Sequence, residues 1–206
     1  MFNFTTWLSK IVRQCASWLR LLIEGSNQTG LKHPDILPRR SDKLVSIEID
    51  WLLMSGIKGV ILDLDNTIVS EDDRYLSPGA EAWIAQAKLA GLQFFILSNG
   101  KRGYRVKYWS RRLDIPAINP AKKPFPQAFR QAIARLQLKP QQVVVIGDAL
   151  HTDILGAWFS GCSSIQVATL PHPLKWWEKL GGKWVQTPYP ETGELWDFDS
   201  TQYKEL

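Results

Sequence analysis

"GVILDLDNTIVS", residues 59–70, sets an apolar run directly against two aspartates, an asparagine and a threonine. Val60, Ile61 and Leu62 suit a strand buried on both faces, whereas an ionised carboxylate withdrawn from water is costly unless something pairs with it. Asp63 and Asp65 therefore demand a compensating group elsewhere in the chain.

Downstream of this stretch, strand and helix patterns alternate. Residues 60–64 read as a strand, and residues 78–90 as a helix with Ser77 as N-cap, Pro78 at the first helical position and Gly91 as terminator. "QFFILSNG" contains a strand over residues 93–97 that stops at Ser98, and "KRGYRVKYWSRRL" a basic helix. A short extended piece, "IPAIN", precedes a helix over residues 125–136. "QQVVVIGD" is a buried strand, "TDILGAWFSG" a helix ended by Gly161, and "SSIQVA" a last strand. The alternation predicts an α/β fold with a parallel sheet covered on both faces. Just upstream, "LVSIEIDWLLMSGIKG" reads as an alternating, strand-like piece followed by a short amphipathic turn.

The composition fits one domain of ordinary size with a short appendage: 206 residues, 45% hydrophobic and 22% charged. Wholesale disorder and a polytopic membrane protein are both excluded on that basis. Lys+Arg 25 against Asp+Glu 20 gives a formal net charge of +5, which favours anionic partners. Cys15 and Cys162 stand in unrelated contexts, so neither a disulfide framework nor a thiolate metal cluster is expected, and a reducing, cytoplasmic compartment fits. Lys10, Arg13 and Arg20 interrupt the apolar positions at the N-terminus and argue against a secretory signal.

Three regions follow from the pattern. Residues 1–43 hold an amphipathic helix and a linker: Phe4, Trp7, Leu8, Ile11, Cys15, Trp18, Leu19 and Leu22 share one face, with Lys10, Arg13, Ser17 and Arg20 opposite. Such a helix can lie in a membrane interface or cover the protein's own core or a partner subunit, and both placements stay open. The linker is "GSNQTGLKHPDILPRRSDK". Residues 44–170 form the α/β core. Residues 171–206 are a basic segment with Trp176, Trp177 and Trp184 beside Lys175, Lys179 and Lys183, followed by an acidic, turn-rich tail expected to be mobile.

Three strands end in polar residues: Asp63 and Asp65 after the first, Ser98 and Asn99 after the second, Asp148 after the fourth. In an open parallel sheet these carboxyl ends converge on one crevice. Carboxylates gathered there repel one another unless a cation is present, and oxygen-only ligands suit Mg²⁺ better than zinc. Lys123 in "AKKPFP" and the hydroxyls of Thr67 and Ser98 complete a set that suits a phosphoryl group.

"DLDNT", "LSNG", "AKKP" and "GDALHTD", in this order on alternating strands and helices, resemble the haloacid dehalogenase (HAD) superfamily of phosphotransferases. The framing of these motifs is similar to the YqeG family of class IIIA phosphatases, over roughly residues 44–170. The resemblance implies a HAD-like Rossmannoid three-layer fold. It implies Asp63 as nucleophile forming an aspartyl-phosphate and Asp65 as the acid/base. Thr67, Ser98, Asn99 and Lys123 would meet the phosphate; Lys123 is preferred to Lys122 because the family's lysine directly precedes proline. Mg²⁺ would be held by Asp63, the main-chain carbonyl of Asp65 and Asp148, with Asp153 in support. Duller roles exist for several: Asp153 could offset a helix dipole, Thr67 could be a turn residue, and Asn66 and Asn99 could shape loops. His151 is expected at the surface or facing substrate.

The family's cap domain has no room here, since "EDDRYL" is a short loop and residues 100–121 hold one helix and one short extended piece. A capless site implies a substrate that itself excludes water: a phosphorylated lipid headgroup, a phosphoprotein or a nucleic-acid end. Relatives of this branch include phosphatidylglycerophosphate phosphatases, and the Trp- and Lys-rich segments favour a membrane surface. A soluble phosphate ester and a non-enzymatic phosphate- or partner-binding module are the alternatives; complete motifs speak against the module. Nucleic acid is disfavoured, the basic helix with Lys101, Arg102, Arg105, Lys107, Arg111 and Arg112 being read as a solvated face. The oligomeric state is not legible.

Overall fold

The structure, a computed structural model, describes residues 39–173, 186–190 and 193–205. All of them belong to one compact unit, Asp35–Leu206. The expected N-terminal helix and the segment with Trp176, Trp177 and Trp184 lie outside the described residues.

Strand β2 (Gly59–Leu62), the start of the quoted stretch, lies at the heart of a six-stranded sheet. Its neighbours are β4 (Gln93–Leu97) and β6 (Val143–Gly147), with β5 (Ala117–Ile118) beyond β4. On the other side lie β7 (Ser163–Val167) and then β1 (Arg39–Ser41), and every pairing is parallel. The order β1-β7-β6-β2-β4-β5 places the Asp63-bearing strand between the two strands that carry Ser98 and Asp148. Leu62 is level with both Ile96 and Ile146, so the residues that follow each strand leave the sheet side by side.

Successive side chains of a strand point to opposite faces, and the core divides accordingly. Val60, Leu62, Phe94, Ile96, Val144 and Ile146 pack with Trp83 and Ile84 of helix α2 (Ala80–Leu89) and Val106 and Trp109 of α3 (Gly103–Arg112). Ile61, Phe95, Leu97, Val143 and Val145 pack with Phe129, Ala132 and Ile133 of α4 (Pro126–Leu136). The expected parallel sheet with helices on both faces is present.

Several local expectations change. Residues 44–50 do not form a strand: Leu44–Ser46 is a 3-10 turn and Ile49–Met54 is helix α1. Leu44 and Ile47, three apart, are the buried pair, and the Ile47 carbonyl accepts from Trp83 Nε1 at 2.8 Å, so tertiary packing outweighs the period-two pattern. The expected linker contributes Arg39–Ser41 as an edge strand. Strand β2 stops at Leu62, and α2 begins at Ala80 with Gly79 as its N-cap at φ 70°, not at Pro78 with Ser77 as cap. The C-terminal tail also does more than its turn-rich composition suggests. Trp196–Asp197 (β8) pairs antiparallel with Tyr75–Leu76 (β3), and a 3-10 turn, Ser200–Glu205, brings Tyr203 against the rings of Tyr108 and Phe198. Aromatic side chains hold this segment where composition predicts mobility.

No helix among the described residues is long and apolar enough to cross a membrane. Residues 100–121 hold α3 and β5, as expected of a chain without a cap there.

Candidate active site

At the end of β2 the Asp63 N–H still donates to Ile146 O at 2.9 Å, and then the chain turns. Leu64 N–H donates to Asp63 Oδ1 at 2.7 Å, and Asn66 adopts φ 59°, with its Oδ1 accepting from Glu71 N–H at 2.7 Å. Asparagine tolerates this left-handed conformation better than most residues, so Asn66 shapes the loop that presents Asp63, Asp65 and Thr67.

Asp63, Asp148 and Asp153 meet with ligand oxygens all within 4.8 Å of one another, and all three are buried. Asp148 follows β6, and Asp153 lies in a π-turn, Leu150–Ile154, ahead of helix α5 (Leu155–Ser160). Such wide turns in helices concentrate at functional sites. Gly147 makes the approach possible, since a Cβ there would collide with the Asp153 carboxyl group.

Lys123 sits against this trio, Nζ 2.6 Å from Asp63 Oδ1 and 2.6 Å from Asp153 Oδ1, while Lys122 is exposed. Burial works against the Lys123 ammonium, but Asp153 and Asp63 outweigh it and hold its pKa above the usual lysine range. Among the described residues, three carboxylates against one ammonium leave two negative charges in a buried site. The consequence is visible in the acids: burial, then Asp153, raise Asp63 well above the ordinary carboxylate range, and the same two causes push Asp148 up to about 7. A hard dication bound by oxygen would remove that excess, and the donor set fits one.

Thr67 is 2% exposed and its Oγ1 has no hydrogen-bond partner among the described residues, a costly state for a buried hydroxyl unless a ligand supplies one. Two backbone donors that follow Asp63 are committed within the loop, Leu64 N–H to Asp63 Oδ1 and Asn66 N–H to Val69 O. Asn99 is also committed: its Nδ2 donates to Lys123 O at 3.0 Å and its Oδ1 accepts from Lys123 N–H at 2.8 Å, bracing the lysine's loop. His151 is exposed.

Asp65 stands apart from the trio. Its Oδ2 accepts from Ser98 Oγ at 2.8 Å, and its Oδ1 pairs with Arg105 Nη1. The Ser98 hydroxyl is thus directed at Asp65. Arg105 corrects the reading of α3 as a wholly solvated basic face, because its side chain is 2% exposed. It also bonds Asp73, and burial of its guanidinium is outweighed by Asp65, Asp73 and Tyr203. Position on the helix was the available signal: Arg105 shares a face with buried Trp109, four residues on.

Sequence reasoning also missed Gln186, whose Nε2 donates to Asp148 Oδ2 at 2.8 Å, and Gln166, whose Nε2 donates to Asp148 O at 2.9 Å. Gln186 arrives through a segment anchored by Thr169 N–H to Thr187 O at 2.7 Å and Tyr189 N–H to Thr169 O at 3.1 Å.

A family profile described as haloacid dehalogenase-like hydrolase matches residues 69–158. The chain is 41% identical over 112 residues to "Probable phosphatase YqeG" of Bacillus subtilis, a match covering 54% of this chain and 64% of that protein. It is 28% identical over 99 residues to "Glyceraldehyde 3-phosphate phosphatase" of Pyrococcus furiosus, covering 43% of this chain and 40% of that one. The match thus spans less than two thirds of the length of these curated relatives. Among solved structures, D,D-heptose 1,7-bisphosphate phosphatase from B. bronchiseptica, complexed with magnesium and phosphate, superposes with a TM-score of 0.44 at 23% identity, covering 55% of this chain and 82% of that one.

Proposed function

We propose that this chain, which belongs to the haloacid dehalogenase-like hydrolases, hydrolyses phosphomonoesters through an aspartyl-phosphate on Asp63. The observation that carries this reading is the joining of a buried acidic trio with one buried lysine and one buried, unpartnered hydroxyl at the carboxyl edge of a parallel sheet.

Asp63 attacks phosphorus in line, its carboxylate oxygen forming the new P–O bond as the ester P–O bond breaks. Asp65 protonates the departing oxygen, then takes the proton from a water whose oxygen attacks the aspartyl-phosphate and releases inorganic phosphate. Lys123 orients Asp63 and offsets charge gathering on the phosphoryl oxygens, and Thr67 donates its hydroxyl to one of them. Ser98 holds Asp65, and Asn99 holds the Lys123 loop. Asp63, the Asp65 main-chain carbonyl and Asp148 would hold Mg²⁺, with Asp153 in support. Bound there, the ion would neutralise the site's excess negative charge and polarise the phosphoryl group.

The proposed substrate is a phosphorylated lipid headgroup, phosphatidylglycerophosphate, yielding phosphatidylglycerol at a membrane surface. This finer reading is supported by the short connections where a cap would be inserted, by the +5 net charge, and by the Trp- and Lys-rich stretches around residues 7–20 and 175–184 of the sequence. Phosphate release in the presence of Mg²⁺, measured on vesicles containing that lipid and on a panel of soluble esters, tests both levels. Preferential turnover of the vesicle lipid is expected, and Asp63→Asn should lower release by about 10⁴-fold or more. Activity surviving Asp63→Asn would falsify the mechanism, while faster turnover of soluble esters with no vesicle preference would remove the lipid assignment.

A further inference from the structure

Arg105 is a buried cation that the phosphatase motifs do not call for. Its side chain is 2% exposed, yet it reaches Asp65 through Nη1 and Asp73 through Nε, and its Nη2 donates to Val69 O at 3.1 Å and Ser70 O at 2.6 Å. A guanidinium presents its donors in one rigid plane, so bonds from all three nitrogens fix both the position and the rotation of the group. The carboxylate it holds is fixed in turn. Arg105 bonds one oxygen of Asp65, Ser98 Oγ donates to the other at 2.8 Å, and Asp65 remains 18% exposed.

A second layer holds Arg105. Asp73 is 5% exposed and also pairs with Arg102 Nη1. Tyr203, from the C-terminal 3-10 turn, donates its hydroxyl to Asp73 Oδ1 at 2.8 Å and accepts from Trp109 Nε1 at 3.2 Å. A chain of contacts therefore runs from the C-terminal segment through Tyr203, Asp73 and Arg105 to Asp65. Burying the Asp73 carboxylate and a guanidinium is costly, and apolar packing would fill the same space at no such cost.

We propose that Arg105 is a positioning residue for the acid/base Asp65, and that Asp73 and the C-terminal Tyr203 hold Arg105 in that task. The inference rests on the phosphatase reading above. Each carboxylate oxygen has a second lone pair, so Asp65 can be held by Arg105 and Ser98 and still meet the leaving oxygen. Misplacing Asp65 would harm esters whose departing oxygen needs a proton far more than those whose departing oxygen is stable as an anion.

The test is therefore the dependence on leaving group of kcat/KM, which reports the steps up to formation of the aspartyl-phosphate and not its hydrolysis, measured with p-nitrophenyl phosphate and a series of alkyl phosphates for wild type, Arg105→Lys and Tyr203→Phe. Arg105→Lys should slow alkyl phosphates by about 10²-fold or more while slowing p-nitrophenyl phosphate by less than about 10-fold. Tyr203→Phe should shift the same ratio in the same direction by a smaller factor. A structural role would lower both substrates alike, and an unchanged ratio in folded variants overturns the proposal. Should Arg105→Lys fail to fold by circular dichroism, Tyr203→Phe, which removes only a hydroxyl, decides the matter alone. Wild-type protein that releases phosphate from no substrate overturns the phosphatase reading itself, and this proposal with it.

Discussion

Around Asp63, three buried carboxylates face one ammonium, whereas around Asp65 two carboxylates, Asp65 and Asp73, face two guanidiniums, Arg102 and Arg105. The two clusters grow from one short stretch of chain, yet among the described residues only the second is balanced. In the first, burial and then the neighbouring Asp153 raise Asp63 and push Asp148 up to about 7, while in the second the acids hold Arg105 firmly charged. An unbalanced cluster fits a cation and an anionic substrate; a balanced one fits a carboxylate held in one position.

Removing each cluster's central cation is the strongest way to break the comparison. Lys123→Met and Arg105→Met should each cost about 3–5 kcal/mol of stability, because each strands buried carboxylates. Millimolar Mg²⁺ should narrow the gap in thermal unfolding midpoint between Lys123→Met and wild type, and leave the gap between Arg105→Met and wild type unchanged, each pair compared with and without the ion. Equal narrowing of both gaps would dissolve the distinction.

The pH dependence of the metal-free protein sharpens it further. Asp148 titrates near 7 when folded, against 3.8 for an ordinary aspartate, so between these values the folded state binds more protons than the unfolded one. From this group, stability rises as pH falls from about 7 towards 4, and it is lost as pH rises through 7. The slope is at most about 1.4 kcal/mol per pH unit for one proton. Added Mg²⁺ should therefore raise the unfolding midpoint most near pH 8 and progressively less towards pH 5. A Mg²⁺ effect independent of pH would show that the acidic trio is not where the ion acts.

A smaller effect is expected at Gln186, which steadies Asp148 Oδ2 from outside the trio. Gln186→Leu should weaken Mg²⁺ binding by about 10-fold, measured by calorimetry, with little change in metal-free stability. Undiminished affinity would reduce Gln186 to a packing residue.

Much of this architecture was legible in the sequence because it is local. Apolar runs bounded by glycine and proline mark β2, β4, β6 and β7, and the polar residues closing those runs mark the crevice, since parallel strands deliver their carboxyl ends to one edge. Lys123 directly before Pro124 was legible through the motif, and the structure places its Nζ between Asp63 and Asp153. Arg105 was not: a basic helix looks solvated when only its charges are counted, and burial depends on which face meets the sheet. Residues 44–50 misled for a similar reason, an alternating pattern being overridden by the packing of Leu44 and Ile47 beneath α2.

The sequence by itself determined the parallel α/β core and which carboxylates could share one site, because strand period and motif order are properties of neighbouring residues. Only the tertiary structure decided how those charges are balanced. Tyr203 meets Asp73 across 130 positions of chain and Gln186 meets Asp148 across 38, and contacts of that span follow from packing, not from any local pattern. Net electrostatics is a sum over neighbours in space, and for Asp65 the decisive neighbour, Arg105, lies 40 residues away in the chain.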